Sequence, residues 1–130
     1  MGHFQSAAPQ PPARPSYTGL SATIKAPSSV KPGDRLRYEV TITNNRSTDV
    51  AFDPCPAYTE NLAGTGIKAV GTYLLNCGAA PSIAAGSSVT FEMVLDIPQW
   101  TQAGNAYLHW DFQDMGLRTP KGIPITVVAS

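Results

Sequence analysis

The stretch Arg35-Leu36-Arg37-Tyr38-Glu39-Val40-Thr41-Ile42-Thr43 carries an apolar residue at every even position and a polar residue at every odd position. Successive side chains of a β-strand point to opposite faces, so this period of two predicts a strand with one buried and one solvated face. Turn-forming residues flank it, Lys31-Pro32-Gly33-Asp34 before and Asn44-Asn45-Arg46-Ser47 after. The stretch is therefore predicted to be one well-delimited strand.

Six further apolar runs, each bounded by turn residues, extend this pattern in both directions. They span residues 20–25, 50–53, 67–76, 89–97, 106–113 and 123–127. The run 67–76 is the least regular, and Gly71 within it indicates a bulge or a sharp bend. Short alternating strands with a turn every ~8–12 residues are typical of a sandwich or a barrel. The sequence therefore predicts an all-β fold, an immunoglobulin-like Greek-key β-sandwich of about seven strands.

A Pro-rich N-terminal segment precedes the strands. Residues 5–17 hold four prolines and show no alternation, which is typical of an extended tether. We therefore predict a disordered tether over residues 1–17 and one sandwich domain over residues 18–130. The first residues lack a charged region followed by an apolar core, so we expect a signal or membrane anchor to belong to a preceding segment absent from this chain. The alternative is a native disordered tail on a complete protein.

The composition excludes two classes of partner. Nine basic and nine acidic side chains give a formal net charge of zero, and charged residues make up only 14% of the chain. Nucleic-acid binding needs a basic stripe that releases counterions from phosphates, and adsorption to an anionic membrane needs a polybasic run. Neither pattern is present, so we expect no nucleic-acid partner. The 12 Pro and 11 Gly are spread between apolar runs, which argues against long helices.

Two segments resemble a known family. The segment Val30–Asn45 resembles the second-strand signature of bacterial extracellular immunoglobulin-like modules, and Ile83–Phe91 resembles their entry to a later strand. Such modules occur in adhesins, in accessory domains of secreted hydrolases and in the outer parts of membrane-anchored sensors. The resemblance implies the fold and an extracytoplasmic location, secreted or at the cell surface. It leaves the ligand open, because a fold hosts many functions.

Cys55 and Cys77 are the only cysteines. A metal site of soft ligands needs more than two Cys and one internal His, and no CxxC spacing is present, so we expect no metal there. In an extracytoplasmic protein the pair predicts one disulfide that encloses a long loop. The alternative is two buried free thiols.

The internal histidine, His109, has Tyr107 and Asp111 as neighbours on the same predicted strand face. A general base needs a nucleophile or a substrate pocket, and no Gly-x-Ser-x-Gly element accompanies it. We therefore expect no catalytic residues and no cofactor, and interpret the strip as structural or as part of a binding face. The turn over residues 111–116 could offer oxygen ligands to Ca²⁺, but it lacks the carboxylate density of an EF-hand loop, and an ordinary turn is the favoured interpretation.

The alternation of the predicted strands places Trp110 among the core-facing residues. Trp100 is the large aromatic residue that this alternation does not place in the core. Trp100 lies in the loop 98–105 between two predicted strands. It either plugs one end of the sandwich or stays exposed as a binding anchor.

These patterns favour a non-catalytic extracytoplasmic interaction or sensor module, tethered to a membrane anchor or a larger protein, whose partner is an extracytoplasmic protein or a glycan. The alternatives are a carbohydrate-binding accessory module of a secreted enzyme and a structural spacer. Loops on a rigid sandwich commonly carry function, so the surface is expected in the loop between the cysteines or in the loops around Trp100 and residues 114–121. The candidate binding residues are Trp100, Tyr58, Glu60, Asn61, Tyr107, His109 and Asp111.

Overall fold

Ten β-strands make up the regular structure in the computed structural model, which describes residues 16–113, 117 and 121–129. In chain order they are β1 (Leu20–Lys25), β2 (Ser29–Val30), β3 (Arg35–Asn44), β4 (Val50–Ala51), β5 (Ala57–Gly64), β6 (Ile67–Leu74), β7 (Ser82–Ile83), β8 (Ser88–Asp96), β9 (Gly104–Phe112) and β10 (Ile123–Val127). Among these described residues, no helix has the length and apolar character needed to cross a bilayer.

Two sheets form the sandwich. A three-stranded sheet has the order β1-β3-β8, and a five-stranded sheet has the order β2-β10-β9-β5-β6. The short strands β4 and β7 pair with each other as a separate ribbon. All pairs are antiparallel except β2 with β10, which is parallel. The chain crosses between these two sheets after β1, β2, β3, β6 and β8. The predicted all-β, immunoglobulin-like sandwich is confirmed.

Strand β3 confirms the alternation that predicted it. Its burial alternates along its length, with the even residues from Leu36 to Asn44 buried. On its outer face the hydroxyls of Thr41 and Thr90 share a hydrogen bond of 2.8 Å across to β8. At the end of β3, the fully buried Asn44 donates from its amide nitrogen to the carbonyls of Thr48 and Ile83 at 2.9 and 3.0 Å. The predicted turn after β3 is thereby tied to strand β7.

The core lies between the inner faces of the two sheets. Val40 from the three-stranded sheet and Leu62, Leu108 and Trp110 from the five-stranded sheet are at most 1% exposed. Burying such side chains removes apolar surface from water, which is the main favourable term in folding. The prediction that Trp110 is a core residue is confirmed.

The predicted strand list is wrong in one important place. Segment 57–64, expected to lie in the loop between the cysteines, is strand β5, which pairs with both β9 and β6. The predicted run 50–53 contains only the two-residue strand β4. Gly71 makes no bulge, because the pairing of β5 with β6 continues through it without interruption. The region between the cysteines is therefore a β-hairpin with a short turn.

The disulfide between Cys55 and Cys77 is present, with a sulfur–sulfur distance of 2.05 Å. Cys55 comes just before β5, and Cys77 comes just after β6. The bond therefore closes the base of the hairpin, and the prediction of one disulfide is confirmed.

Tyr17 lies inside the core, with only 2% of its surface exposed. Its ring contacts those of Phe112 and Phe52 at centroid distances of 5.1 and 6.0 Å. The predicted domain boundary after residue 17 therefore has to move toward the N-terminus, because this ring fills a space at the edge of the core. Residues 1–15, which make up most of the predicted tether, lie outside the described residues.

We expect Tyr17→Ala to lower the free energy of unfolding by roughly 3 kcal/mol, because it leaves a cavity against two aromatic rings. Urea unfolding followed by circular dichroism measures this change. Thr18→Ala is the matched control, since Thr18 is exposed and its truncation should cost little. Equal unfolding midpoints for the two variants would show that Tyr17 contributes nothing to the core.

Reduction of the disulfide should cost roughly 3 kcal/mol of unfolding free energy, because the bond restricts the unfolded chain over a sequence separation of 22 residues. Thermal unfolding with and without a reductant measures the effect. The double variant Cys55→Ala/Cys77→Ala should match the reduced wild type and be insensitive to the reductant. A wild type whose melting temperature does not respond to complete reduction would contradict the expectation.

Candidate functional site

The outer face of the five-stranded sheet gathers most of the predicted binding residues. The odd residues of β9 point outward, so Tyr107, His109 and Asp111 all lie on this face and are exposed. Asn61 of β5 is directly opposite His109 in the register of the two strands. The imidazole of His109 lies against Gly122, where an added Cβ would be only 2.6 Å from the ring. Four of the seven predicted residues therefore share one surface.

Trp100 adds a fifth residue to this surface. Its side chain is 72% exposed, so the hypothesis that it plugs one end of the sandwich is wrong. The loop around it is anchored by its neighbours: the buried Thr101 donates its amide to Pro98 at 3.1 Å, and Gln102 lies against Gly66 in the turn between β5 and β6. The loop packs through its flanking residues and leaves the indole in water.

Trp100 forms one wall of a groove of about 530 Å³. The floor comes from the outer face of the β5–β6 hairpin, and the lining residues include Asn61, Ala63, Ile67, Lys68, Val70 and Trp100. Gly64 and Gly66 complete the lining at the hairpin turn. The groove is thus largely apolar, with one amide and one ammonium group at its border.

Strand β6 carries exposed apolar side chains that sequence reasoning missed. Of the five large hydrophobic side chains exposed in the described residues, Val70, Tyr73 and Leu74 lie on β6. Val70 and Leu74 occupy positions where the alternation of β6 sends side chains to solvent, and Leu74 is 70% exposed. The sequence signal for this surface was the apolar character of Val70 and Leu74 at positions that point to solvent. The irregular pattern around Gly71 concealed which residues of this strand point outward.

Two formal charges border this surface. Among the described residues, the ion pair within 4 Å joins Arg35 to Asp96 on the other sheet, so Lys68 of β6 has no acidic partner. Partial burial raises the pKa of Asp111, and a hydrogen bond from the backbone of Phe112 acts in the opposite direction. The surface around Trp100 is therefore nearly neutral, with one uncompensated positive charge on β6.

Tyr58 and Glu60 were expected on the surface, and both are buried. They lie on β5 at even positions, which face the core because β5 is flanked by β9 and β6. The ring of Tyr58 stacks on Trp110 at a centroid distance of 5.7 Å. Glu60 is 0% exposed and accepts a hydrogen bond of 2.5 Å from the hydroxyl of Tyr38 across the sandwich. From sequence alone, an acidic residue is expected on the surface. Only the register of β5 places Glu60 in the core.

Gly71 makes room for the buried carboxyl group. It pairs with Glu60 across the hairpin, and a Cβ at Gly71 would lie 3.1 Å from Glu60 Oε2 and 2.7 Å from the ring of Tyr73. Glu60 Oε2 finds no hydrogen-bond partner among the described residues. Burial raises the pKa of Glu60 to about 7, although the hydrogen bond from Tyr38 lowers it, and the negative charge of Asp96 raises it further. The folded protein therefore favours the protonated form of this carboxyl group more than an exposed glutamate does.

The described residues contain no group of three or more His, Cys, Asp or Glu side chains that could hold a metal ion. Half of the turn 111–116 that was considered for Ca²⁺, namely residues 114–116, lies outside the described part of the chain. The loop 114–121, the other predicted binding loop, is described only at Leu117 and Lys121. Within the described residues, the surface around Trp100 is thus the candidate recognition surface.

No family model matches the chain, and no curated protein matches it either. Solved structures do match, at low sequence identity. The alkylpurine DNA glycosylase AlkC of Pseudomonas fluorescens, bound to DNA with an abasic site analogue, matches with a TM-score of 0.56 at 14% identity, over 88% of this chain and 32% of that one. A β-glucosidase from Listeria innocua matches with a TM-score of 0.53 at 16% identity, over 88% of this chain and 16% of that one.

The CARDB domain of the PF1109 protein from Pyrococcus furiosus, solved in complex with di-metal ions, matches over nearly its whole length. Its TM-score is 0.53 at 17% identity, over 85% of this chain and 94% of that one. By contrast, the chain spans only 32% of the glycosylase and 16% of the glucosidase. At these identities the likeness is one of fold, and it is consistent with an immunoglobulin-like sandwich of the kind found as a part of larger proteins.

We expect Glu60→Gln to stabilise the protein more at pH 8 than at pH 5. A pKa raised from about 4.5 to about 7 means that the folded state favours the protonated carboxyl group. The stability of the wild type should therefore fall as pH rises from about 4.5 to 7 and then level off, whereas Gln is neutral throughout. Urea unfolding should show a gain of about 1–3 kcal/mol at pH 8 and a smaller gain at pH 5. Glu39→Gln on the exposed face is the control, and an equal pH dependence in the two variants would contradict the expectation.

Proposed function

We propose that this domain is a non-catalytic interaction module that works outside the cytoplasm, and that its partner binds at the outer face of the five-stranded sheet beside Trp100. The observation that carries the proposal is the 72% exposure of Trp100 at the wall of an apolar groove. Indole rings are the most common energetic anchors of binding interfaces, because they bury a large area with few rotatable bonds. A tryptophan held in water by a packed loop is therefore a strong candidate anchor.

Three features support the proposed location outside the cytoplasm and the proposed class of non-catalytic interaction module. Disulfides such as Cys55–Cys77 persist in oxidising compartments and are rare in the cytosol. The Pro-rich residues 5–15, which precede the buried Tyr17, have the composition of a tether that would hold the domain away from an anchor. Of the described residues that could act as a general base, Glu60 is sealed in the core and His109 lies on an open sheet face. These features favour binding over catalysis.

A carbohydrate-binding accessory module is the second candidate. Trp100 and the 53%-exposed Tyr107 lie on the same face of the sheet, and the amide of Asn61 lies in the groove near them. Aromatic faces with nearby amides suit the apolar faces and hydroxyls of sugar rings. The third candidate, a structural spacer, is disfavoured by the concentration of exposed apolar side chains around β6, because contiguous apolar patches commonly mark interaction sites.

The test uses Trp100→Ala and a panel of purified cell-wall polysaccharides and secreted proteins. Loss of an anchor residue should weaken the binding of the true partner by about 2 kcal/mol, roughly thirtyfold, in biolayer interferometry. The melting temperature should change by no more than a few degrees, because the indole contributes little to the core. Thr90→Ala, on the outer face of the other sheet, is the control and should leave binding unchanged.

Two results would contradict the proposal. One is a large loss of stability in Trp100→Ala, on the order of 3 kcal/mol, which would make the residue a core cap. The other is a partner from the panel that binds Trp100→Ala and wild type equally well, which would place recognition elsewhere.

A further inference from the structure

The geometry of β6 points to a specific mode of recognition, and we infer that the partner binds by adding an extended polypeptide segment to the free edge of this strand. The segment would carry apolar side chains on the face next to Trp100 and an acidic side chain near Lys68. This inference rests on the proposed function, because it uses the same surface. It names the partner's chemistry: a stretch of protein in a β conformation.

Strand β6 is the last strand of the five-stranded sheet, and within the described part of the chain it pairs only with β5. It is eight residues long, from Ile67 to Leu74, and its register with β5 is unbroken. At the opposite end of the same sheet is β2, which has only two residues. The long free edge of this sheet is therefore on the side of Trp100.

The hydrogen bonds show which backbone groups face the open edge. Leu75 donates its amide to the carbonyl of Pro56 at 2.9 Å, so residues 56 and 75 form a hydrogen-bonded pair at the base of the hairpin. Hydrogen-bonded and non-hydrogen-bonded pairs alternate in an antiparallel ladder. The odd residues of β6 therefore bond to β5, and the even residues turn their N–H and C=O groups away from it. The bond from Gln113 to Ala57 at 3.0 Å agrees, because it assigns the odd residues of β5 to β9 and the even ones to β6.

The four even-numbered residues of β6 have both free backbone groups and exposed side chains. They are Lys68, Val70, Thr72 and Leu74, and all of them are exposed on the outer face of the sheet. Their free backbone groups and their side chains are thus offered to the same incoming segment. A strand that pairs with them would lay alternate side chains beside Val70 and over the groove under Trp100. Strand addition of this kind takes its affinity from main-chain hydrogen bonds and its specificity from pockets for alternate side chains.

Within its own sequence the edge of β6 lacks the usual protection, and only its C-terminal end at Leu74 lies beside β8 of the other sheet. Edge strands are commonly kept from pairing by proline, by bulges, by several charges or by short length. Strand β6 has no proline and no bulge, and its single charge is Lys68. A long, apolar, unprotected edge would invite aggregation unless pairing there had a use.

The chemistry of the edge favours a polypeptide over a glycan. The aliphatic side chains of Val70 and Leu74 stand 56% and 70% exposed, and aliphatic groups suit apolar side chains better than hydroxylated rings. The regular spacing of backbone donors and acceptors along β6 also matches that of another strand. Lys68 has no acidic partner among the described residues, so we expect the bound segment to carry a carboxylate near it.

The test uses ten-residue peptides displayed on phage and selected against the oxidised wild-type protein. Selected sequences should alternate apolar residues and include an acidic one. Thr72→Pro removes an outward N–H without touching the β5–β6 ladder, and Gly71 before it has no side chain to clash with the ring. It should weaken the selected peptides by roughly tenfold or more, and by far more than the matched Thr72→Val, which changes the side chain but keeps the N–H.

Two further measurements do not depend on the folding of Thr72→Pro. A selected peptide with alternate amides N-methylated should lose binding to the wild-type protein, because it cannot complete the ladder. Hydrogen exchange should show that the amides of Val70 and Thr72 gain protection when the unmodified peptide is bound. No selected peptide, full binding by the methylated peptide, or no gain in protection would each overturn strand addition.

The outcomes separate this inference from the proposed function. If a neutral polysaccharide binds in a way that depends on Trp100 while no peptide does, strand addition fails and the binding module survives as a glycan binder. If peptides bind with protection at β6 but without dependence on Trp100, strand addition survives and the role of Trp100 fails. If nothing in either panel binds, both fail.

Discussion

Each strand of the two large sheets must send one set of alternate residues into a shared core, and this requirement determines nearly everything else about the domain. Strand β3 meets it without exception, and its register with β8 follows. A shift of one residue would turn Leu36 and Val40 to water and bring Arg37 and Glu39 inside. The same requirement acts on β5, β6 and β9, and thereby decides which side chains remain on the outer face beside Trp100.

Glu60 shows how strong that requirement is. The neighbours of Glu60 at core parity, Tyr58 and Leu62, pack into the centre of the fold, and the register of β5 takes the carboxyl group in with them. The fold accommodates it with a hydrogen bond from Tyr38, with space left by Gly71 and with a pKa raised to about 7. A buried polar group costs free energy unless it is paired or neutral, so protonation is part of the accommodation. The pair also links the two sheets at a defined point.

The candidate surface depends on that same hairpin. The disulfide closes its base, the Trp100 loop packs against its turn, and the outer strand β6 offers an open edge. The proposed recognition surface is thus a rigid sheet edge next to an anchored loop, whereas the sequence favoured the loops. Rigid elements hold side chains in place before a partner arrives, which lowers the entropic cost of binding.

The sequence by itself determined the fold class, most of the long strands, the disulfide and the core position of Trp110, because these follow from period-two patterning and from residue chemistry. It also grouped Tyr107, His109 and Asp111 on one strand face, since parity is a local property. Only the tertiary structure decided that residues 57–64 are a central strand, that Glu60 is buried and that Tyr17 belongs to the core, because each depends on contacts with distant strands. The exposure of Trp100 and the free edge of β6 were decided in the same way: how a loop packs and which strand ends a sheet are properties of the assembled sandwich, and no local pattern encodes them.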